Sequence, residues 1–192
     1  MLVNGTDLID TPILSLQTGS ELARTAKPII NPHNLSVIAY EVTGPHLDHH
    51  PSFLRIDDIR ELSPIGMIID SSEEFVQMDD IIKLKDIYEL RFELVHKQVL
   101  DEHRHKVGKV IDYNLEAGGF VIQQLSVKRP LLKSFNESEL LIHRSQVIEV
   151  TDHAIVIHSK TENKKALPKA STAYVNPFRQ TRQTEAINLS ND

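Results

Sequence analysis

Residues 106–127 constrain the fold more than any other part of the chain, because they are typical of two strands joined by a short turn. The first strand, over residues 107–115, is rich in β-branched and apolar residues, and Phe120–Val127 forms an apolar second strand. Gly118 and Gly119 lie between them, where a tight turn needs positive φ angles that glycine adopts easily. The pattern predicts a β-hairpin.

The same hairpin pattern occurs earlier in the chain, which predicts an internal duplication. A shift of 85 positions aligns the two copies, and each has apolar residues at i, i+2, i+5 and i+7 of its second strand. The aligned pairs are Leu35 with Phe120, Val37 with Ile122, Tyr40 with Leu125 and Val42 with Val127. Side chains alternate in a flat strand, so the odd step from i+2 to i+5 predicts a β-bulge in both copies. Downstream, Met67–Ile69 aligns with Ile155–Ile157 at an offset of 88.

The run V-G-K-V-I-D-Y at residues 107–113, followed by the turn, the apolar strand and a later strand pair, resembles the PRC-barrel family. Gly108 in this run suggests close approach of another backbone. Residues 7–70 resemble a degenerate copy, with Ala23 in place of the glycine and Pro28 interrupting the strand. The resemblance implies a mainly β protein of two small PRC-type β-barrels in tandem. The family includes the C-terminal barrel of the small-subunit ribosome maturation factor and the cytoplasmic domain of the reaction-centre H subunit, so it implies a fold rather than an activity.

The sequence divides into three predicted parts. Residues 7–86 are expected to form the degenerate PRC-barrel with a short helical connector, and 87–158 the second PRC-barrel. The connector is predicted from a capping box at Ser71–Glu74 followed by apolar residues at helical spacing. Alternation over Ile87–Val95 predicts a connecting strand. Residues 159–192 have no apolar period and are expected to form a disordered basic tail with a short aromatic motif.

Composition limits the partners and the compartment. Residues 1–157 carry 15 Lys+Arg against 24 Asp+Glu, whereas residues 158–192 carry 6 against 3. An acidic body is poorly suited to broad contact with nucleic acid, so any such contact is expected to be local. The chain has no cysteine, which excludes disulfides and permits a reducing compartment. Without a signal-peptide pattern or an apolar run approaching 18 residues, a cytoplasmic protein with no transmembrane segment is expected.

Two segments combine basic with apolar or aromatic residues and are predicted to bind a partner. The loop at residues 128–135 either forms a partner surface or folds back to cover the barrel mouth while its cations remain in water. The motif at residues 174–182 either binds a partner that orders it, packs on the protein's own body, or has no role. The predicted partner-binding residues are Lys128, Arg129, Leu131, Leu132, Lys133, Arg144, Tyr174, Phe178 and Arg179.

Histidine clusters are the weaker candidates for chemistry. His46, His49 and His50 lie in a loop between two prolines, and no helix or second motif completes a set of metal ligands. The same holds for His103 and His105, so a solvated loop is favoured and no metal or cofactor is predicted. The sequence also lacks a nucleophile elbow, a phosphate-cradling glycine loop, a dinucleotide fingerprint and an H-E-x-x-H motif. We therefore expect that the protein is not an enzyme.

The sequence predicts a non-catalytic interaction or adaptor protein that binds an unidentified protein partner through barrel loops and the C-terminal tail. One alternative is a ribosome-associated maturation or assembly factor, in which Lys128, Arg129, Lys133 and the basic tail contact ribosomal protein or RNA. The other alternative is a metal- or small-molecule-binding module that uses the histidine loops.

Overall fold

A computed structural model describes residues 1–45, 47–80, 82–129 and 139–158. Met1–Ser159 form one compact unit. The strands are β1 (Leu2–Asn4), β2 (Pro12–Ser15), β3 (Glu21–Asn31), β4 (Ser36–Thr43), β5 (Ser52–Arg55), β6 (Glu61–Ser63), β7 (Gly66–Ile69), β8 (Phe75–Gln77), β9 (Gln98–Asp101), β10 (Lys106–Glu116), β11 (Val121–Lys128), β12 (Glu139–His143), β13 (Val147–Val150) and β14 (Ala154–Ile157). A single α-helix among the described residues, α1 (Ile82–Glu89), lies between β8 and β9. The mainly β class is confirmed.

The two halves of the chain repeat one strand order. The first half runs β6-β7-β2-β3-β4-β5, and the second half runs β13-β14-β9-β10-β11-β12. Each half contains one parallel strand pair, which is β2 with β7 in the first half and β9 with β14 in the second. The long hairpins, β3–β4 and β10–β11, are antiparallel. The repeat predicted from the sequence is therefore confirmed at the level of strand order.

The register of the two long hairpins is also the same. Seven pairs between β10 and β11 recur between β3 and β4 at an offset of 85, and both ladders shift register at the same two places. The second shift leaves Gln123 of β11 and Ile38 of β4 without a ladder partner. Each of these residues lies between the i+2 and i+5 apolar positions. The predicted β-bulge is confirmed in both copies.

The hairpin turns differ from the prediction in one respect. Gly118 and Gly119 are not among the glycines with positive φ; that conformation belongs to Phe120, with φ of 50°, and to the aligned Leu35, with φ of 49°. The two glycine amides instead donate to the Glu116 carboxylate at 2.7 and 2.9 Å. The glycines therefore let the main chain wrap around this carboxylate.

The two halves join where β4 of the first half pairs with β11 of the second half. Val37 N donates to Phe120 O at 3.0 Å and Ile122 N donates to Leu35 O at 2.9 Å, on either side of the Ser36–Val121 pair. The offset of 85 converts Ser36 into Val121, so a local two-fold axis passes through this pair. One large apolar cluster contains buried residues from both halves.

The predicted pair of closed barrels is not confirmed. The strands of the described residues form one connected sheet whose order ends at β13 and β6, and this sheet is not closed. In addition, β1 belongs to the first half by sequence but pairs with β10 of the second half. The halves are therefore linked in two ways, by the short pairing of β4 with β11 and by β1, which pairs with β10 of the second half.

A helical connector is present, but it begins later than predicted. Ser71 caps only a short 3-10 turn, where its Oγ accepts from Glu73 N at 3.2 Å. The chain then forms β8 before α1 begins at Ile82. The α-helix found among the described residues, Ile82–Glu89, is too short to span a bilayer.

The strand predicted over Ile87–Val95 is wrong, because its first residues end α1. Leu84, Ile87 and Tyr88 are spaced as one helical face, and they pack against a small apolar cluster around Phe53. The Tyr88 and Phe53 rings meet edge to face with centroids 5.4 Å apart. A helix buries these residues together, whereas an alternating strand would place Ile87 and Tyr88 on opposite faces.

The shared core contains two tyrosine hydroxyls without a hydrogen-bond partner among the described residues, those of Tyr40 and Tyr113. Burial raises the pKa of both phenols.

We expect Tyr40→Phe to increase the free energy of unfolding by about 1 kcal/mol, because it removes an unsatisfied polar group. Since the folded-state pKa values are raised, stability should be lost as the pH rises above about 10, where the unfolded chain releases these protons first. Urea unfolding between roughly pH 8 and 11 measures both effects. A loss of stability at high pH that is unchanged in a Tyr40→Phe/Tyr113→Phe variant would contradict the second effect.

Candidate functional site

A surface cleft beside the second hairpin combines cations with apolar surface. It has a volume of about 410 Å³ and lies where β10 and β11 reach the end of their ladder. We call it the basic cleft. Its cationic residues are Lys106, Lys109, Lys128 and Arg129, its apolar residues are Val110 and Ile111, and Gly108 and His96 complete its lining.

The strand geometry places the cations together. Lys109 and Lys128 are directly opposite each other in the β10–β11 ladder. A register shift between Lys106 and Gly108 inserts an extra residue into β10, so Lys106 and Lys109 are both exposed although they are three positions apart. Arg129 follows the end of β11 directly. The cleft is therefore a consequence of hairpin register rather than of a contiguous sequence motif.

The charges of the basic cleft are not neutralised within the described part of the chain. Its four cations make no ion pair or side-chain hydrogen bond there, whereas Lys27, Arg55 and Lys85 each pair with a carboxylate at 2.6–2.9 Å. Glu139 is opposite Lys128 on its other side but forms no ion pair with it. Like charges directly across a strand pair oppose folding. The repulsion between Lys109 and Lys128 is therefore offset, in this part of the chain, only by the cross-strand charge of Glu139, and a bound anion would reduce it further.

The first half shows how the same positions look when the charges are balanced. Glu21 and Arg24 occupy the positions aligned with Lys106 and Lys109, and they form an ion pair with Nε and Oε1 2.7 Å apart. Hydrogen bonding to Glu21 is the main cause of the raised pKa of Arg24. Thr43 takes the place of Lys128. The accumulation of positive charge is thus specific to the second half.

The apolar surface of the basic cleft comes from a bulge. Ile111 is the extra residue where β10 shifts register against β11, and its side chain is 37% exposed although it is a large aliphatic group. Val110 beside it is fully buried and belongs to the core. The arrangement provides an apolar contact within reach of several cations, which suits a ligand that has both acidic and apolar groups.

The structure separates the predicted partner-binding residues. Lys128 and Arg129 lie in the basic cleft, whereas Arg144 lies elsewhere and donates to Asn34 O at 3.0 Å. Arg144 therefore links the two halves and is not among the residues that line the basic cleft. The remaining predicted residues, Leu131, Leu132, Lys133, Tyr174, Phe178 and Arg179, lie outside the described residues.

Sequence reasoning missed Lys106, Lys109 and His96. Lys109 could have been found from the predicted hairpin, because counting back from the turn across the bulge places it opposite Lys128. His96 has no comparable signal, since it reaches the cleft through a turn in which its amide donates to Val110 O at 2.8 Å.

The described histidines of the two loops are exposed. His49 and His50 are exposed, His46 lies outside the described residues, and no group of three potential ligands occurs among the residues that are described. His103 and His105 instead belong to a turn organised by Asp101, whose Oδ1 accepts both of their amides at 2.9 and 2.7 Å. The turn is therefore held by the amides of both residues and by His105 Nδ1, which lies 3.1 Å from Asp101 Oδ2.

No protein family profile matches the chain, and no curated protein is significantly similar to it.

Proposed function

We propose that the protein is a non-catalytic adaptor of the tandem PRC-barrel type that binds an acidic segment of a protein partner through the basic cleft. The observation that carries the proposal is the unneutralised Lys109–Lys128 pair. The repeated strand order and bulge positions support the two-copy, PRC-type architecture. A cytoplasmic location belongs to the same proposal and agrees with a chain that has no cysteine.

The chemistry of the cleft favours protein over nucleic acid as the ligand. Four cations around the exposed side chain of Ile111 match a short segment of acidic and apolar residues. An extended phosphate backbone would continue past the cleft onto a body in which residues 1–157 have 24 acidic against 15 basic residues. The same cations nevertheless give a second candidate function, a ribosome-associated factor with a local RNA contact.

Neutralising the opposed lysines tests the proposal. We expect Lys109→Gln/Lys128→Gln to weaken binding of a fluorescent peptide of alternating glutamate and leucine by roughly tenfold, because two charge-assisted contacts are lost. Anisotropy titrations of the full chain measure this. The unfolding midpoint in urea should stay the same or rise, because the like-charge pair is removed.

Lys83→Gln/Lys85→Gln is the matched control, because it removes two exposed helix lysines and changes the net charge equally. It should leave peptide affinity nearly unchanged. A single-stranded RNA that binds more tightly than the peptide, with a salt dependence reduced by the Lys109/Lys128 variant, would favour the ribosome-associated alternative. Equal effects of the two variants would contradict a role for the cleft.

A further inference from the structure

The basic cleft contains a histidine, His96, beside its four cations. This residue is exposed, and its imidazole has no hydrogen bond or ion pair with another described residue. Histidine is the side chain whose charge ordinarily changes between about pH 5 and 8. The positive charge that the cleft presents to a ligand therefore depends on the protonation of His96.

The main chain at His96 has the left-handed conformation, and the first half shows that this conformation is structural. Asp10 aligns with His96 at the offset of 86 that also aligns β2 with β9. The φ angle is 72° at His96 and 58° at Asp10. His96 N donates to Val110 O at 2.8 Å, and Asp10 N donates to Thr25 O, which is aligned with Val110, at 2.9 Å. The two halves therefore fix the same main-chain position and differ in the side chain that it carries.

In the first half this side chain is an acid that neutralises a cation. Asp10 Oδ2 lies 3.5 Å from Arg24 Nη1, and the same guanidinium group donates to Asp10 O at 2.9 Å. Arg24 has the ladder position that Lys109 has in the second half. His96 therefore takes the position from which the first half neutralises this cation.

The whole site differs in charge between the halves. The first half has two acids and one cation in these positions, whereas the second half has four cations and a histidine. A ligand acid is thus missing from the second half at the point where the first half supplies its own carboxylate. The aligned residues are Asp10 with His96, Glu21 with Lys106, Arg24 with Lys109, Thr43 with Lys128 and Gly44 with Arg129.

The acid nearest to His96 along the chain already has a partner. Glu93 Oε1 lies 2.8 Å from Lys27 Nζ, and the hydrogen bond to Lys27 is the main cause of the lowered pKa of Glu93. A carboxylate that a ligand brings into the cleft is therefore available to a protonated His96. The other titratable groups near this segment are Lys97, which donates to Asp152 O, Asp112, which accepts from Thr6, and Tyr113, whose pKa is raised by burial.

We propose that His96 makes the binding of an acidic ligand to the basic cleft proton-linked, because its imidazolium form donates to a carboxylate of the ligand. The inference rests on the function proposed for the cleft and names the residue that regulates it. A ligand that prefers the protonated cleft must take up a proton when it binds, since linkage is reciprocal. The affinity for the partner then rises as the pH falls through the range in which histidine gains its charge.

Anisotropy titrations of the full chain with the fluorescent glutamate–leucine peptide, at constant ionic strength, test this inference. We expect the Kd to fall roughly three- to tenfold between about pH 7.5 and 5.5, because one charge-assisted contact is added. The glutamates of the peptide stay mainly ionised in this range, since their ordinary pKa is about 4.3. In His96→Asn the change should be less than about twofold, because asparagine stays neutral, and asparagine also tolerates a positive φ.

Proton uptake gives a second readout that needs no variant. Calorimetric titrations of the peptide in two buffers of different ionisation enthalpy measure the number of protons that are bound with it. Near about pH 6.5 the unmodified chain should take up a fraction of a proton, and His96→Asn should take up none. Zero uptake by the unmodified chain would overturn the proposal.

His33→Asn is the matched control, because it removes an exposed histidine that does not line the cleft. It should keep the full pH dependence. His96→Asp introduces the acid of the first half beside Lys109 and should weaken peptide binding roughly tenfold at about pH 7.5.

The outcomes separate this inference from the proposed function. A pH dependence that persists in His96→Asn, or that His33→Asn removes equally, would overturn the role of His96 and leave peptide binding by the cleft intact. A peptide affinity that Lys109→Gln/Lys128→Gln does not weaken would overturn the function proposed for the cleft, and this inference with it.

Discussion

Gly108→Val is expected to lower the free energy of unfolding by about 2–4 kcal/mol. A Cβ atom at this position would collide with the main-chain oxygen of Lys128 and would lie 2.7 Å from Val127 Cγ1. A flexible side chain could move aside, but the carbonyl of Lys128 is held in the β10–β11 ladder. The two strands would have to separate at the end of the hairpin, and their pairing would weaken.

In the first half the two hairpin strands also approach closely, but there the glycine lies at the end of the second strand of the hairpin rather than on the first. There Ala23 is aligned with Gly108, and Gly44 is aligned with Arg129. A Cβ atom on Gly44 would lie 2.9 Å from Leu22 O and 3.0 Å from Ala23 Cα. Each hairpin therefore needs one glycine where its strands cross closely, and the two halves place it on different strands.

Urea unfolding measures the effect of Gly108→Val. Gly119→Ala is the matched control, because its added Cβ would have no neighbour nearer than 3.5 Å and its φ is not positive. The control should shift the midpoint little. If Gly108→Val left the midpoint unchanged, the β10 and β11 backbones would not be in close contact at this point.

The sequence predicted the features that depend on local alternation. Apolar spacing in Phe120–Val127 was sufficient to predict the strand, its bulge and the repeat in Leu35–Val42, because bulges change side-chain parity in a way that is visible in one strand. Apolar spacing gave the wrong prediction for Ile87–Val95, because this alternation also fits a helical face when Leu84 is included. Contact with Phe53, which is distant in sequence, decided in favour of the helix.

The candidate site was predicted only in part, for a related reason. Lys128 and Arg129 are adjacent in sequence and form a visible basic cluster, whereas Lys106 and Lys109 join them only through strand pairing. The unequal pairing of β10 and β3 has no sequence signal of its own. It arises because β1 pairs with β10, whereas the aligned segment 88–90 ends α1 and enters a turn.

Cutting the chain between Leu90 and Arg91 should abolish folding of both halves in isolation. The first half would lose the edge contact at Ser36 and the apolar residues from Phe92 onward that belong to the shared core. The second half would lose β1 from the edge of β10. Each half has fewer than about 100 residues, and a small unit with part of its core exposed is marginal at best.

The two fragments, 1–90 and 91–158, should each lack a cooperative urea transition and should recover one when mixed in equal amounts. The contacts that restore the fold are the main-chain bonds beside the Ser36–Val121 pair, the β1–β10 pairing and the Lys27–Glu93 ion pair with Nζ and Oε1 2.8 Å apart. The shared apolar cluster contributes most to the free energy of refolding, since it is buried only when both halves are present. As a control, a cut in the exposed turn at Thr18, which leaves residues 19–158 joined across the two halves, should reduce stability far less. A cooperative transition of fragment 91–158 alone, at the midpoint of the intact protein, would instead establish residues 91–158 as an independent domain.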